Sequence, residues 1–249
     1  MRPFAPDSPL AKIHPSPNFG ARKGKGPDSI ILHYTGMADG AAALARLSDP
    51  KAEVSAHYFI DETGDILQLV PEARRAWHAG QSCWAGESDM NSASIGIELQ
   101  NGGHEFGAPA YPKAQIDAVI ALCRDIACRH KIAPQRILAH SDIAPGRKID
   151  PGEYFPWGTL AEAGIGLYVR PHPIENDPPL ARGAKGGAVA AVQGMLAAYG
   201  YDVEPSGDYD ERTEIVVAAF QRHFRPARID GKADRSTIAT LKALMAARP

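Results

Sequence analysis

Ser29-Ile-Ile-Leu-His-Tyr34 is a short, largely apolar run that closes on a histidine and a tyrosine. Its length and branched side chains suit a strand buried inside a sheet. Ser94-Ile-Gly-Ile-Glu-Leu99 and Arg136-Ile-Leu-Ala-His140 have the same character. Between the first run and the second, Ser55-Ala-His-Tyr-Phe-Ile60 and Asp65-Ile-Leu-Gln-Leu-Val70 flank Asp61-Glu-Thr-Gly64. That turn signal predicts a hairpin. Helical stretches are interleaved with these strands. Asp39 is placed to cap an Ala/Leu-rich helix running to Leu47. After Pro112, the residues Ile116, Val119, Ile120, Cys123, Ile126 and Ala127 return every three or four positions, with His130 and Lys131 at the dipole's negative end. The mixture predicts an α/β domain with a central mixed sheet flanked by helices. The first stretch, to about residue 25, is rich in Pro and Gly without a period. It is expected to wrap over the surface.

Arg170-Pro-His-Pro-Ile-Glu-Asn-Asp-Pro-Pro179 carries four prolines, which forbid a continuous helix. It reads as a linker over 171–180 between a domain at 1–170 and a smaller one at 181–249. Few contacts are expected to cross it. Beyond it the pattern is helical. Val189, Val192, Leu196 and Tyr199 share one face; Ile215, Ala219, Phe220 and Phe224 a second; Ile238, Leu241 and Met245 a third. Asp210 and Asp234 are placed as caps. The expectation is a small three-helix bundle.

The formal net charge of −2 and the absence of like-charge blocks give no reason to expect nucleic-acid or anionic-membrane partners. No apolar run is long enough to span a bilayer. Met1-Arg-Pro-Phe-Ala-Pro-Asp7 lacks the features of a secretory leader. A cytoplasmic location is the expectation, with the envelope as the alternative if a leader has been removed. Cys83, Cys123 and Cys128 form no Cys-x-x-Cys. Cys123 and Cys128 sit five apart on a helix and point in different directions, so all three read as buried or reduced thiols.

Two imidazoles and a carboxylate make a standard catalytic zinc set with one position open for water. His33, at the end of the first strand, and His140, at the end of the last, are candidates, with Asp150 ten residues on. A lone strand histidine is more often a packed core residue, but the context is particular. His140-Ser-Asp-Ile-Ala-Pro-Gly-Arg-Lys-Ile-Asp-Pro-Gly152 puts His, Lys and Asp on one proline-pinned loop. Lys148 and Asp150 are two apart, so in an extended segment they project to one side. An ammonium beside a metal would stabilise the negative oxygen that forms when water attacks an amide. Glu98 lies within an otherwise apolar strand, where a carboxylate is costly unless paired or set in a cleft. Such surroundings raise its pKa toward a range useful for a general base.

Ile31-Leu-His-Tyr-Thr35, Ala76-Trp-His-Ala-Gly80, Ser94–Leu99 and His140–Gly152 together resemble the amidase type 2 family of N-acetylmuramoyl-L-alanine amidases, over roughly residues 25–165. The resemblance implies that His33, His140 and Asp150 bind Zn²⁺, that Glu98 is the acid/base and that Lys148 stabilises the oxyanion. It implies a peptidoglycan or muropeptide substrate, in its 1,6-anhydro form if the protein is cytoplasmic. Tyr34, Trp77 and His78 would line the substrate groove, although Trp77 fits a core position equally well. His57, beside Tyr58, reads as a packed residue or a support for a ligand. Gly207-Asp-Tyr-Asp-Glu-Arg-Thr213, Ala218-Ala-Phe-Gln221 and Ile229-Asp-Gly231 resemble a three-helix peptidoglycan-binding domain. A non-catalytic peptidoglycan-recognition protein of the same fold is the alternative; it would lack a metal ligand or the carboxylate. A zinc peptidase acting on the stem peptide is a further rival.

Overall fold

The computed structural model describes residues 4–24 and 26–248. Met1–Pro3, on which the leader expectation bears, lie outside the described residues. In chain order the elements are β1 (Lys12–Ile13), β2 (Phe19–Ala21), β3 (Ser29–Tyr34), α1 (Gly40–Ser48), β4 (Tyr58–Ile60), β5 (Ile66–Gln68), β6 (Arg74–Ala76), α2 (Met90–Ala93) and β7 (Ser94–Leu99). They continue with α3 (Lys113–His130), β8 (Ile137–Ala139), α4 (His140–Ile143), α5 (Trp157–Glu162), α6 (Gly187–Tyr199), α7 (Glu211–Phe224) and α8 (Arg235–Ala246).

The main sheet has the order β1-β5-β4-β7-β3-β8. β3 lies in its interior, parallel to β7 on one side and to β8 on the other. A strand covered on both faces needs apolar side chains on both, and Ile30, Ile31 and Leu32 are all fully buried. Ile30 and Leu32, with Ile95, Ile97 and Leu99 of β7, pack against Ile116, Val119, Leu122, Cys123 and Ile126 of α3. Ile116, Val119, Cys123 and Ile126 belong to the stripe the helical period predicts; Ile120 and Ala127 are only partly buried at its edge, and Leu122 joins it. Asp39 caps α1 by accepting from the Ala42 N–H at 2.8 Å. The expected hairpin is the antiparallel pair β4–β5, with a ladder shorter than the two apolar runs.

The opening stretch departs from expectation. Instead of only wrapping the surface, β1 pairs parallel with β5 and β2 antiparallel with β6. Two or three residues are too few to display a period, so these pairings leave no local signal. The three cysteines carry free thiols, with Cys123 buried and Cys128 exposed. No helix among the described residues is long and apolar enough to cross a membrane.

The three C-terminal helices form as the sequence predicts, with Asp210 and Asp234 capping α7 and α8. Their relation to the rest of the chain does not. Val189, Val192, Leu196, Tyr199, Val216, Phe220 and Phe224 share one continuous core with Ile31, Trp84, Leu138, Ile143 and Ala144 of the sheet domain. The bundle therefore covers the sheet face opposite α3. The proline-rich segment is itself docked: the His172 N–H donates to Thr240 Oγ1, and Ser236 Oγ donates to the His172 carbonyl. Prolines impose an extended path, and the hydroxyls of α8 satisfy its backbone. The expectation of few crossing contacts is thus overturned, because aromatic side chains on the helices find an apolar sheet face.

Trp84 is 1% exposed and sits edge-on to Tyr199 and Tyr201 at 5.8 and 4.9 Å. Trp84→Ala should cost about 3–5 kcal/mol. Calorimetry should show a single transition in both proteins, displaced downward as a whole in the variant. Two separate transitions, with only one displaced, would mean that the halves unfold independently.

Candidate active site

The carboxyl ends of β3, β7 and β8 open into a cleft of about 450 Å³, the edge at which sheets with parallel strands commonly receive ligands. His33 and Glu98 are register partners in the β3–β7 ladder, so their side chains leave the sheet on the same face. Ala139 pairs with Leu32 at the end of β8. His140 follows; it opens α4 rather than ending the strand, and it lines the cleft. Asp150 returns from the loop beyond, held by a 3.0 Å hydrogen bond from the Ser141 N–H to its carbonyl.

His33 Nδ1 lies 2.9 Å from His140 Nδ1 and 3.1 Å from Asp150 Oδ2, and the last two are 3.0 Å apart. One ion at about 2.0–2.1 Å can touch all three atoms. The far side of each ring is tied down. His140 Nε2–H donates to the Ala79 carbonyl at 3.1 Å, which leaves Nδ1 with its lone pair facing the cluster. His33 Nε2 is 3.0 Å from His78 Nδ1, and His78 Nε2 is 3.3 Å from Ser94 Oγ, which donates to the Met90 carbonyl at 2.5 Å. If each nitrogen donates outward along this chain, His33 Nδ1 is also left as a lone pair.

The electrostatics agree with a cation site. Burial, and then His140, lower the His33 pKa to about 4. Burial, and then His33 and His57, hold His78 well below the usual histidine range. Both rings are neutral at pH 7, as a ligand and its support require. Burial pushes the Asp150 carboxyl up, but protons shared with the His140 and His33 rings outweigh it and hold it below the ordinary carboxylate range; a cation in place of those protons would do the same. Two imidazoles and one carboxylate, buried and converging, suit a divalent metal.

Glu98 lines the same cleft, and its Oε2 is buried without a hydrogen-bond partner among the described residues. Burial, then the Asp150 charge, raise its pKa well above the ordinary carboxylate value, opposed by Lys148. Lys148 and Asp150 both face the cleft, and Lys148 makes no ion pair among the described residues. Tyr34, Trp77 and His78 also line it. His78 is 9% exposed, and its ring rests on Gly96, where a Cβ would come within 2.4 Å. Its contacts make it a support for His33 more than a wall of the groove. His57 is packed outside the cleft: the Gly96 N–H donates to its Nδ1, and its Nε2 meets the Arg74 carbonyl.

Among the cleft residues that sequence reasoning missed are His104 and Arg147. His104 bonds Tyr34 Oη at 3.1 Å and Glu153 at 3.0 Å. Its one signal was the preceding glycine pair: Gly103 has φ +62°, and a Cβ there would strike the Tyr34 ring at 2.5 Å. Arg147 donates to the carbonyls of Ala79 and Gln81 and so holds the backbone that receives His140. Nothing in its local sequence separates it from a surface arginine.

Residues 23–153 match the N-acetylmuramoyl-L-alanine amidase family, and residues 185–241 match a peptidoglycan binding domain. The chain is 42% identical to the N-acetylmuramoyl-L-alanine amidase AmiD of Escherichia coli over 231 residues, 87% of this chain and 81% of that protein. It is 34% identical to the 1,6-anhydro-N-acetylmuramyl-L-alanine amidase AmpD of the same organism over 59% of this chain and 88% of AmpD. The structure of AmiD in complex with anhydro-N-acetylmuramic acid-L-Ala-D-gamma-Glu-L-Lys superposes with a TM-score of 0.73 at 36% identity, covering 98% of this chain and 93% of that one. AmpDh3 of Pseudomonas aeruginosa in complex with anhydromuramic pentapeptide gives 0.71 at 32% identity, covering 98% and 97%.

A metal that binds only the folded cluster stabilises the fold by mass action. At about one hundred times its Kd, a divalent transition metal should add about 2.7 kcal/mol. The accompanying rise in melting temperature should vanish in His140→Ala and Asp150→Ala. An undiminished rise in those variants would place the metal elsewhere.

Proposed function

Because the chain belongs to the N-acetylmuramoyl-L-alanine amidase family, we propose that its cleft is a zinc site that cleaves the amide between the lactyl group of N-acetylmuramic acid and the L-alanine of a peptidoglycan stem peptide. The observation that carries this reading is the convergence, in one cleft, of a two-histidine, one-carboxylate cluster with Glu98, whose pKa is raised, and Lys148, which has no ion-pair partner among the described residues. Zinc at His33, His140 and Asp150 supplies Lewis acidity to the scissile carbonyl and to the attacking water.

The chain's own groups do the rest. Glu98 accepts the proton of the attacking water and passes it to the departing L-alanine amine. Its raised pKa keeps the carboxyl able to hold that proton between the two steps. Lys148 places a positive charge where the carbonyl oxygen turns negative. The two imidazoles hold their positions through the outward hydrogen bonds of His140 and His33, and Asp150 through the Ser141 N–H bond to its carbonyl. The solved complexes of AmiD and AmpDh3 contain anhydromuramyl peptides, so 1,6-anhydro muropeptides fall within the substrate class. The C-terminal helices are proposed to hold peptidoglycan near the cleft. A non-catalytic binder of this fold would lack a ligand or the carboxylate, and here every position is filled.

Glu98→Gln should retain zinc and substrate binding and lower turnover by roughly two to four orders of magnitude, as followed by mass spectrometry of the products. Near-normal turnover would move the proton-transfer role to another group.

Lys148→Ala leaves the ligands untouched, so zinc content should be unchanged and substrate affinity kept within a few-fold. Turnover should fall ~100 to 1000-fold, the effect of about 3–4 kcal/mol of lost charge stabilisation. Lys148→Arg should recover little, because the flat guanidinium presents its donors differently. Full recovery by Arg would reduce the residue to a structural cation.

A further inference from the structure

Asp142 is a fully buried carboxylate that the reaction does not use. It stands two residues after His140, inside α4. Its Oδ2 accepts the Ala139 N–H at 2.8 Å, so it pins the backbone at the point where the chain turns His140 into the cleft. A buried carboxylate needs several donors. Its other two come from the C-terminal helical region: Tyr201 Oη donates to Oδ1 at 2.6 Å, and His223 Nδ1 donates to Oδ2 at 2.7 Å. His223 is itself held in place, stacked on Trp157 at 3.8 Å. Its Nε2 is buried without a partner among the described residues.

We propose that the C-terminal helical region is part of the metal centre's support: Tyr201 and His223 are positioning residues that set His140 through Asp142. The geometry makes the link direct. His140 Nδ1 has to stand 2.9 Å from His33 Nδ1 and 3.0 Å from Asp150 Oδ2. The turn that aims it is fixed by a carboxylate that would lose two of its three donors without the tail. Outer partners that orient a ligand commonly govern metal affinity about 10–100-fold. The tail thus acts on the centre through bonds, beyond any hold on peptidoglycan. This inference rests on the reading of His33, His140 and Asp150 as a zinc site.

The test uses the full chain and measures zinc affinity by competition with a chelator of known affinity. Tyr201→Phe and His223→Phe keep aromatic packing and remove one donor each. Tyr209→Phe is the control, because it deletes a buried bond of the same kind, to the Gly231 carbonyl, that does not touch Asp142. The double variant Tyr201→Phe/His223→Phe should bind zinc about 10- to 100-fold more weakly, each single variant by part of that, and Tyr209→Phe within two-fold of the wild type. Cobalt loaded in place of zinc should show an altered visible spectrum in the double variant and an unaltered one in Tyr209→Phe. Unchanged zinc affinity and cobalt spectrum in the double variant would overturn the inference. So would an equal loss in Tyr209→Phe, which would trace the effect to a general loosening of the helices. If the double variant does not fold, the two single variants decide by the same criteria. A wild type that takes up no zinc would overturn the reading of the site itself.

Discussion

Three ligating atoms that stand about 3 Å apart come from residues as distant as His33 and Asp150, 117 positions apart in the chain. The parallel pairing of β3 with β7 and β8 makes this possible. It brings three strand ends to one edge and sets His33 in register with Glu98. A sheet of this kind has to be covered on both faces. α3 covers one and the C-terminal helices cover the other, where Ile31 and Leu138 enter their core. The face that carries Ile31 also carries His33, two residues on. The cleft and the helical tail therefore occupy neighbouring parts of the same sheet face, and the tail's position follows from the demand that created the site.

The site concentrates polar groups where water is scarce, and each is managed differently. His140 and Arg147 satisfy themselves on backbone carbonyls. His33 leans on His78, which leans on Ser94. Asp150 is held below the ordinary carboxylate range by the two imidazoles that face it. Of the described residues that line the cleft, Glu98 alone has a buried oxygen left without a partner, and the Asp150 charge makes its ionisation harder still. Unmade hydrogen bonds at buried atoms are costly; here the unpartnered atom faces a cleft in which substrate and water can meet it. A cation in the cluster would offset Asp150 and ease the ionisation of Glu98, so ligand set and acid/base are coupled through one field.

What could be read in the sequence was what is written locally. β3, β7, the β4–β5 hairpin, α3 and the caps Asp39, Asp210 and Asp234 follow from period and turn chemistry, and the structure contains them. The expected site residues all line one cleft. The short strands β1 and β2 escaped because pairing partners, not their own residues, make them strands. His104 and Arg147 escaped because each is defined by what it touches 40 or more residues away. The supporting role of His78 did leave a trace, in the glycine within Ile95-Gly96-Ile97. A glycine inside an otherwise good strand marks a place where something approaches the backbone closely. Here that is the His78 ring.

The proline-rich segment shows where such reading misleads. Prolines fix the path of a connection; they say nothing about whether the parts it joins adhere. Adhesion depends on apolar area, and the tail carries more aromatic surface than its helices need for one another. Tyr199 and Tyr201 meet Trp84, and His223 stacks on Trp157. Between the two tyrosines, Gly200 has φ +141°, and a Cβ there would lie 2.5 Å from the Trp84 ring. Its carbonyl accepts the Ala85 N–H at 2.8 Å. The two halves thus approach each other at the level of the backbone, which only a glycine flanked by aromatics permits. The Tyr199-Gly-Tyr201 triplet was the better indicator of domain contact than the four prolines that precede the helices, because it reports a required close approach, whereas the prolines report only a stiff path.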